Sequence, residues 1–388
     1  MALQQAIVLP PLSIYIHFPW CIRKCPYCDF NSHGVGNAGF DEAGYLTALA
    51  RDLEMSLPAI ESREVRSVFI GGGTPSLLSG AGIRQLLQLL GGKVTLMPDC
   101  EITLEANPGA ADLRRFEAYR SAGVNRLSIG VQSFADTALR ALGRAHDATG
   151  ARAAIVRARQ AGFTNLNLDI IHTLPGQTVS AAVADLQTAI EFRPEHLSWY
   201  QLTIEPGTLF SRNPPILPDE DTGWEIQHSG RELLAAAGHD NYEISAWALA
   251  ENLRCAHNLN YWRFGDYLGI GAGAHSKLSD PLNGGIRREV RVASPGEYMH
   301  HSGTTAALSS NTLVEGRAID LEFMLNALRL REGFSVAQFE ERTGHALATI
   351  RDPIERGQEL GLIDVQIENI RPTAKGQRYL NDLLQLFV

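Results

Sequence analysis

The 388-residue chain is long enough for one large domain and a small one. Its 45% hydrophobic and 20% charged residues are ordinary for a globular protein, and a net charge of −9 argues against a nucleic-acid partner, which calls for a basic face. The uncharged start, Met1 to Pro11, lacks the basic region of a signal peptide, and no apolar run approaches the ~20 residues of a membrane span. A cytoplasmic protein is expected.

From the start to about residue 205, short β-type runs alternate with helical patterns. Leu12–His17 is apolar and β-branched, and Ser67–Ile70 runs into Gly71-Gly72-Gly73. Glu101–Ala106, Arg126–Val131, Asn165–Ile171 and His196–Ile204 follow. Asp41 is placed to cap a helix with Tyr45, Leu46, Leu49 and Leu53 on one face. Ser79 precedes a second helix carrying Leu86, Leu87, Leu89 and Leu90. Residues 111–121 and 148–160 form helices before Gly123 and Gly162, and residues 178–191 form another before Pro194. Six strand–helix alternations predict parallel strands joined by crossovers, and a partial (β/α)6 TIM-like barrel fits better than an open doubly wound sheet. Chemistry in such a barrel sits at the C-terminal ends of the strands.

The texture changes near residue 210, where Asn213-Pro214-Pro215 and Pro218 interrupt the pattern. A helix over about 220–237 precedes mixed strands and Gly-rich loops. Residues 311–388 read as a small, mostly helical, winged-helix-like domain with a hairpin at Leu362–Arg371. With 9 Lys and Arg against 12 Asp and Glu, that segment suits a structural or partner-docking role better than DNA. The expected division is therefore 1–210 (barrel), 211–310 (extension) and 311–388 (C-terminal domain).

Three of five cysteines crowd into the loop after the first strand, as Cys21-x3-Cys25-x2-Cys28. In a reducing compartment this spacing indicates a metal site rather than disulfides. Cys100 reads as a core thiol. Structural zinc needs four closed ligands, so His17 or His33 would have to complete the set. An iron–sulfur cube on three thiolates leaves one iron open, as a reacting site requires, and the residue types favour the cube. Gly71-Gly72-Gly73-Thr74-Pro75 follows the second strand, either as a turn needing positive φ or as backbone approaching a ligand. Glu105, Gln132 and Asp169 close the third, fourth and fifth strands, with Arg144 in the loop beyond Gln132. Together they ring one mouth.

The cysteine spacing, with an aromatic before the third cysteine, resembles the radical S-adenosylmethionine (SAM) superfamily. Ser13–His17, Gly71–Leu78, Glu101–Gly109, Gly123–Phe134 and Leu197–Thr208 resemble its HemN/HemW group over nearly the whole chain. The resemblance implies a barrel of the radical SAM type and a [4Fe–4S] cluster on Cys21, Cys25 and Cys28, with SAM at the open iron. It implies SAM contacts from Tyr15, Gly72, Gly73, Thr74, Glu105, Gln132, Arg144 and Asp169. Arg144 would meet the carboxylate of SAM and Asp169 its ribose hydroxyls.

The group contains an oxygen-independent coproporphyrinogen III dehydrogenase and haem chaperones. The dehydrogenase has a further cysteine where this chain has Phe30, and a longer segment before the first strand. His257-Asn258-Leu259-Asn260-Tyr261-Trp262 resembles the chaperones' haem motif His-Asn-x-x-Tyr-Trp. It implies His257 as haem ligand, Tyr261 and Trp262 as flat faces for a porphyrin and Arg263 as partner of a propionate. Haem would then be cargo for haem-accepting membrane or respiratory proteins, with an electron donor unspecified and a homodimer implied. The alternative is the dehydrogenase itself. Gly269–His275 is expected to be a tight loop near the mouth rather than a dinucleotide fingerprint, with His275 a secondary candidate for haem or substrate contact.

Overall fold

The computed structural model describes residues 7–37, 39–60, 63–281 and 285–388. Six strands run parallel in chain order: β1 (Leu12–Phe18), β2 (Glu64–Gly72), β3 (Thr95–Ala106), β4 (Arg126–Gln132), β5 (Leu166–His172) and β6 (His196–Gln201). The crossovers carry α1 (Glu42–Ser56), α2 (Gly80–Gly91), α3 (Leu113–Ala122), α4 (Asp136–Ala141), α5 (Ala148–Gln160) and α6 (Val179–Glu191). Asp41, Ser79 and Thr178 cap α1, α2 and α6 by accepting from the N–H groups of Gly44, Gly82 and Ala181. Tyr45, Leu46, Leu49 and Leu53 are all buried on the inner face of α1. Gly123 follows α3 at φ +118°, where a side chain would be strained. β1 is buried on both faces, as a parallel strand covered by helices must be. The six-residue α4 is too short to leave a readable period.

After α7 (Glu220–Ala236), β7 (Asp240–Asn241) and β8 (Ala246–Ala248) add antiparallel strands beside β6. The chain then forms α8 (Ala256–Trp262) and crosses to the opposite edge. There β9 (Asp266–Ile270) pairs parallel with β1. Three antiparallel strands, β10 (His275–Asp280), β11 (Gly285–Arg291) and β12 (Leu308–Val314), extend that edge. The sheet order is thus β12-β11-β10-β9-β1-β2-β3-β4-β5-β6-β8-β7, an open barrel whose two ends are not joined among the described residues. Residues 211–310 accordingly supply strands to both edges of the barrel sheet, and β12 continues across position 310.

The C-terminal part contains α9 (Arg317–Ala327), α10 (Val336–Thr343) and α11 (Arg351–Glu359). Its small antiparallel sheet has the order β13 (Phe334–Ser335), β15 (Asn369–Pro372), β14 (Ile363–Gln366), the wing expected from the hairpin pattern. Phe323, Phe334 and Phe339 meet edge to face or tilted in a core that also takes in Phe264 and Ile286. Those last two residues belong to the larger body, so the small domain is packed onto it.

Candidate functional site

Aromatic packing fixes the start of the cysteine loop. Phe18 and Trp20 meet Phe40 and Tyr45 with ring centroids 4.8–6.1 Å apart. Backbone bonds continue the hold: His33 N–H donates to Pro19, Val35 N–H to Cys21, Gly73 N–H to Phe18 and Thr74 N–H to Trp20, all at 2.7–2.9 Å. Glycine is required twice here. Gly72 adopts φ +110°, and a Cβ on it would lie 2.5 Å from the His17 ring. A Cβ on Gly73 would lie 2.5 Å from the Trp20 carbonyl oxygen, which is backbone and cannot swing aside. The triple glycine therefore makes room for the cysteine loop, while Gly72, Gly73 and Thr74 also face the cavity. Gly73→Ala is expected to displace the loop, to cost about 1–3 kcal/mol, and to cut iron retained after anaerobic reconstitution by more than half. Unchanged iron content and melting temperature would contradict this packing.

Cys21, Cys25 and Cys28 are half-buried free thiols lining one cavity of about 450 Å³ at the C-terminal ends of the strands. Burial pushes the Cys21 and Cys28 thiols up, partly offset by hydrogen bonds, from Thr74 and Ser32 at Cys21 and from the Phe30 backbone and Ser32 at Cys28. His17 is committed elsewhere: Nε2 lies 2.8 Å from the Asn31 carbonyl and Nδ1 3.0 Å from the Tyr15 hydroxyl. His33 is exposed and bonds Asn31 Oδ1 at 3.1 Å. Neither imidazole completes a four-ligand zinc shell. Among the described residues no three metal-ligating side chains converge as one ion requires. A cube assigns one iron to each thiol and accepts wider spacing, so the donor set fits it.

The opposite wall of the cavity holds Glu105, Gln132, Arg144 and Asp169. Glu105 Oε2 accepts from Gly72 N–H at 3.0 Å. Burial and then the nearby Asp169 push its carboxyl up to about 8, moderated by that N–H. Asp169 is also raised by burial, against donors from Asn167, Ser198 and Ser128. Gln132 holds φ +69°, an uncommon conformation for a side-chain-bearing residue, and accepts from Tyr200 O–H at 3.0 Å. Arg144 donates to Gly130 O at 2.9 Å, with Cys25 Sγ at 3.6 Å and Tyr27 Oη at 3.5 Å. Burial opposes its charge, yet Tyr27 and Cys25 hold its pKa above the ordinary value. Three thiols facing a cation and two carboxylates suit a ligand with both charge signs and several hydroxyls.

Two expected residues lie outside this wall. Tyr15 is enclosed below it, stacked on Phe69 at 6.3 Å and bonded to His17. Burial, then Glu105, raises its phenol pKa. His257 is buried inside the barrel, stacked on Phe69 at 5.0 Å and edge-on to Tyr261 at 4.9 Å. Its Nδ1 meets Ser67 Oγ at 3.1 Å, while Nε2 has no partner among the described residues. Burial, then Arg126, pushes the imidazole down to about 3, so it is neutral. The neighbouring groups are engaged: Tyr261 meets Tyr267 in a tilted ring contact at 4.1 Å, Arg329 covers Trp262 at 4.3 Å, and Arg263 pairs with Glu332 at 2.7 Å. His275 is exposed at the start of β10, on a loop whose Gly271 and Gly273 pack against His17 and Asn31.

The cavity also includes Tyr27, the aromatic before the third cysteine, and Asn107, Ser128, Ser198, Tyr200 and Glu205, which sequence reading did not single out. Ser128 pairs in register with Glu105, and Ser198 with Asp169, so strand alternation from the two carboxylates was the available signal.

The model of the Radical SAM superfamily matches residues 15–189, and that of the HemN C-terminal domain matches residues 319–379. The chain is 45% identical to heme chaperone HemW of Escherichia coli (strain K12), covering 98% of this chain and 99% of that one. It is 34% identical to the mitochondrial radical S-adenosyl methionine domain-containing protein 1 of Bos taurus, covering 96% and 86%. Coproporphyrinogen III oxidase (HemN) from Escherichia coli, a solved radical SAM enzyme, aligns with TM-score 0.82 over 98% of this chain and 90% of its own, at 24% identity, a likeness of fold. By its near-full-length identity to HemW proteins, the chain belongs to the HemW family of the radical SAM superfamily.

Proposed function

We propose that the protein is a cytoplasmic haem chaperone that carries a [4Fe–4S] cluster and binds SAM. The observation that carries this reading is the 45% identity to heme chaperone HemW over 98% of the chain. Phe30, in place of a further cysteine, supports it over the dehydrogenase. Cys21, Cys25 and Cys28 would hold the cluster, whose open iron supplies a site for SAM and, when reduced, radical chemistry. Arg144 orients a carboxylate and excludes its own release to water by burial. Glu105 and Asp169 accept from amino and hydroxyl groups. Gly72 and Thr74 shape the wall beside the thiols.

Haem would bind through His257, whose neutral imidazole, with Nδ1 donating to Ser67, would offer the unpartnered Nε2 to iron. In this conformation Phe69 and Tyr261 enclose the imidazole, so haem binding requires α8 to leave its seat. Release to respiratory membrane proteins, an external electron donor and a homodimer belong to the same proposal. The test is a haem titration followed by absorption. Parent protein is expected to give a histidine-ligated spectrum, and His257→Ala to lose it with at least a tenfold weaker Kd. An unchanged spectrum for His257→Ala overturns the ligand. Conversion of coproporphyrinogen III to protoporphyrinogen by the reconstituted protein overturns the chaperone reading.

A further inference from the structure

A line of buried polar groups joins the cavity to the helix that bears His257. Asp169 Oδ1 accepts from Asn167 Nδ2 at 2.7 Å, and Asp169 Oδ2 from Ser128 at 3.1 Å. Asn167 Nδ2 also donates to Ser128, so its Oδ1 can only accept. That oxygen lies 2.6 Å from His196 Nδ1, which must carry the proton. His196 Nε2 therefore accepts, and Tyr242 O–H donates to it at 2.8 Å. The Tyr242 oxygen in turn accepts from Cys255 N–H, at the start of α8, at 3.3 Å. Asn167, His196, Tyr242 and Cys255 are each at most 2% exposed. Every bond in the line donates toward the Asp169 carboxylate. Such oriented chains polarise one another, so a change at one end is felt at the other.

The far end of the line is poised for this. The side chain of Cys255 does not cap α8. The first turn is held instead from outside, by Tyr242 and by Glu101, which accepts from Ala256 N–H at 3.0 Å and His257 N–H at 3.2 Å. Loosening Tyr242 leaves the first-turn N–H groups of Ala256 and His257 held by Glu101, without its support at Cys255.

We propose that Asn167, His196 and Tyr242 are positioning residues that couple a hydroxyl-bearing ligand at Asp169 to the seating of α8. The proposal rests on the haem reading of His257. A ligand hydroxyl donating to Asp169 shares its lone pairs and weakens its pull on Asn167. The line relaxes, the first turn of α8 loosens and His257 becomes reachable. Occupancy of the cavity by SAM thus promotes haem binding.

The test uses the cluster-reconstituted full chain without reductant, so that SAM is not consumed. SAM is expected to tighten haem binding by about fivefold or more and to speed hydrogen exchange at the Cys255 amide. Tyr242→Phe is expected to bind SAM and haem, with haem affinity already raised and indifferent to SAM. His196→Gln, which cuts the line nearer Asp169, is expected to do the same. Equal haem affinity with and without SAM in the parent overturns the coupling. So does a SAM effect retained in a folded Tyr242→Phe or His196→Gln. Should both variants fail to fold, unchanged Cys255 exchange in the parent overturns it alone. Absence of haem binding in the parent overturns the haem reading and this proposal together, whereas haem binding without coupling overturns only this one.

Discussion

Cys25→Ala protein, reconstituted anaerobically with iron and sulfide, is expected to fall from about four irons per chain to about one or fewer and to lose the broad visible absorption of the cube. Each of the three thiolates has one iron to hold, and neither nearby imidazole is free to replace one. His17 has both ring nitrogens engaged, and His33 is turned to Asn31 on the surface. Arg144, 3.6 Å from Cys25 Sγ, is a cation and repels a vacant iron. Cys21 and Cys28 should behave alike. Cys100→Ala is the control: that thiol is buried in β3 away from the cavity, and iron content should be unchanged. Because burial keeps the Cys21 and Cys28 thiols protonated above their ordinary range, loading must release protons and should proceed further as pH rises from 7 toward 9. A Cys25→Ala protein that retains the full iron complement would remove the cluster assignment.

The parts of this structure legible in the sequence are those with local causes. The amphipathic face of α1, the starts at Asp41 and Ser79, and the Gly123 stop each depend on a few adjacent residues. The ring of Gly72, Glu105, Gln132 and Asp169 was legible because parallel strands bring their C-terminal ends together whatever their spacing in sequence. The return of β9 to the far side of β1 was not legible, since nothing local to Asp266–Ile270 specifies its partner. Nor was the environment of His257. Its motif suggested flat aromatic faces for a porphyrin, yet Phe69 and Ser67, which enclose the imidazole, come from β2, 190 residues earlier in the case of Ser67. Burial by such distant residues leaves no trace in a six-residue motif. Asn167, His196 and Tyr242 were missed for the same reason: each is an unremarked polar residue until tertiary packing aligns them.

Glu105→Gln is expected to melt several degrees above the parent near pH 8.5 and close to it near pH 5. The ordinary carboxyl value is 4.5, and the site raises it to about 8. Between those values the folded protein keeps a proton that the unfolded chain has released. Folded-state stability is therefore fully present below about 4.5 and is lost as pH climbs through about 8. The full gap corresponds to about 4–5 kcal/mol, but one side of Glu105 faces the cavity, where water screens the ionised form, so about 1–3 kcal/mol is expected. Glutamine keeps an oxygen to accept from Gly72 N–H and never ionises, so it escapes the loss. A difference in melting temperature that is the same at both pH values would show that Glu105 is not shifted. The same pair of melts also reads ligand binding. A cationic amino group placed beside Glu105 favours its ionised form and pulls the carboxyl back toward its ordinary range. With SAM bound through this residue, the parent should lose its pH penalty and the advantage of Glu105→Gln near pH 8.5 should reverse, because only the carboxylate can pair with that cation.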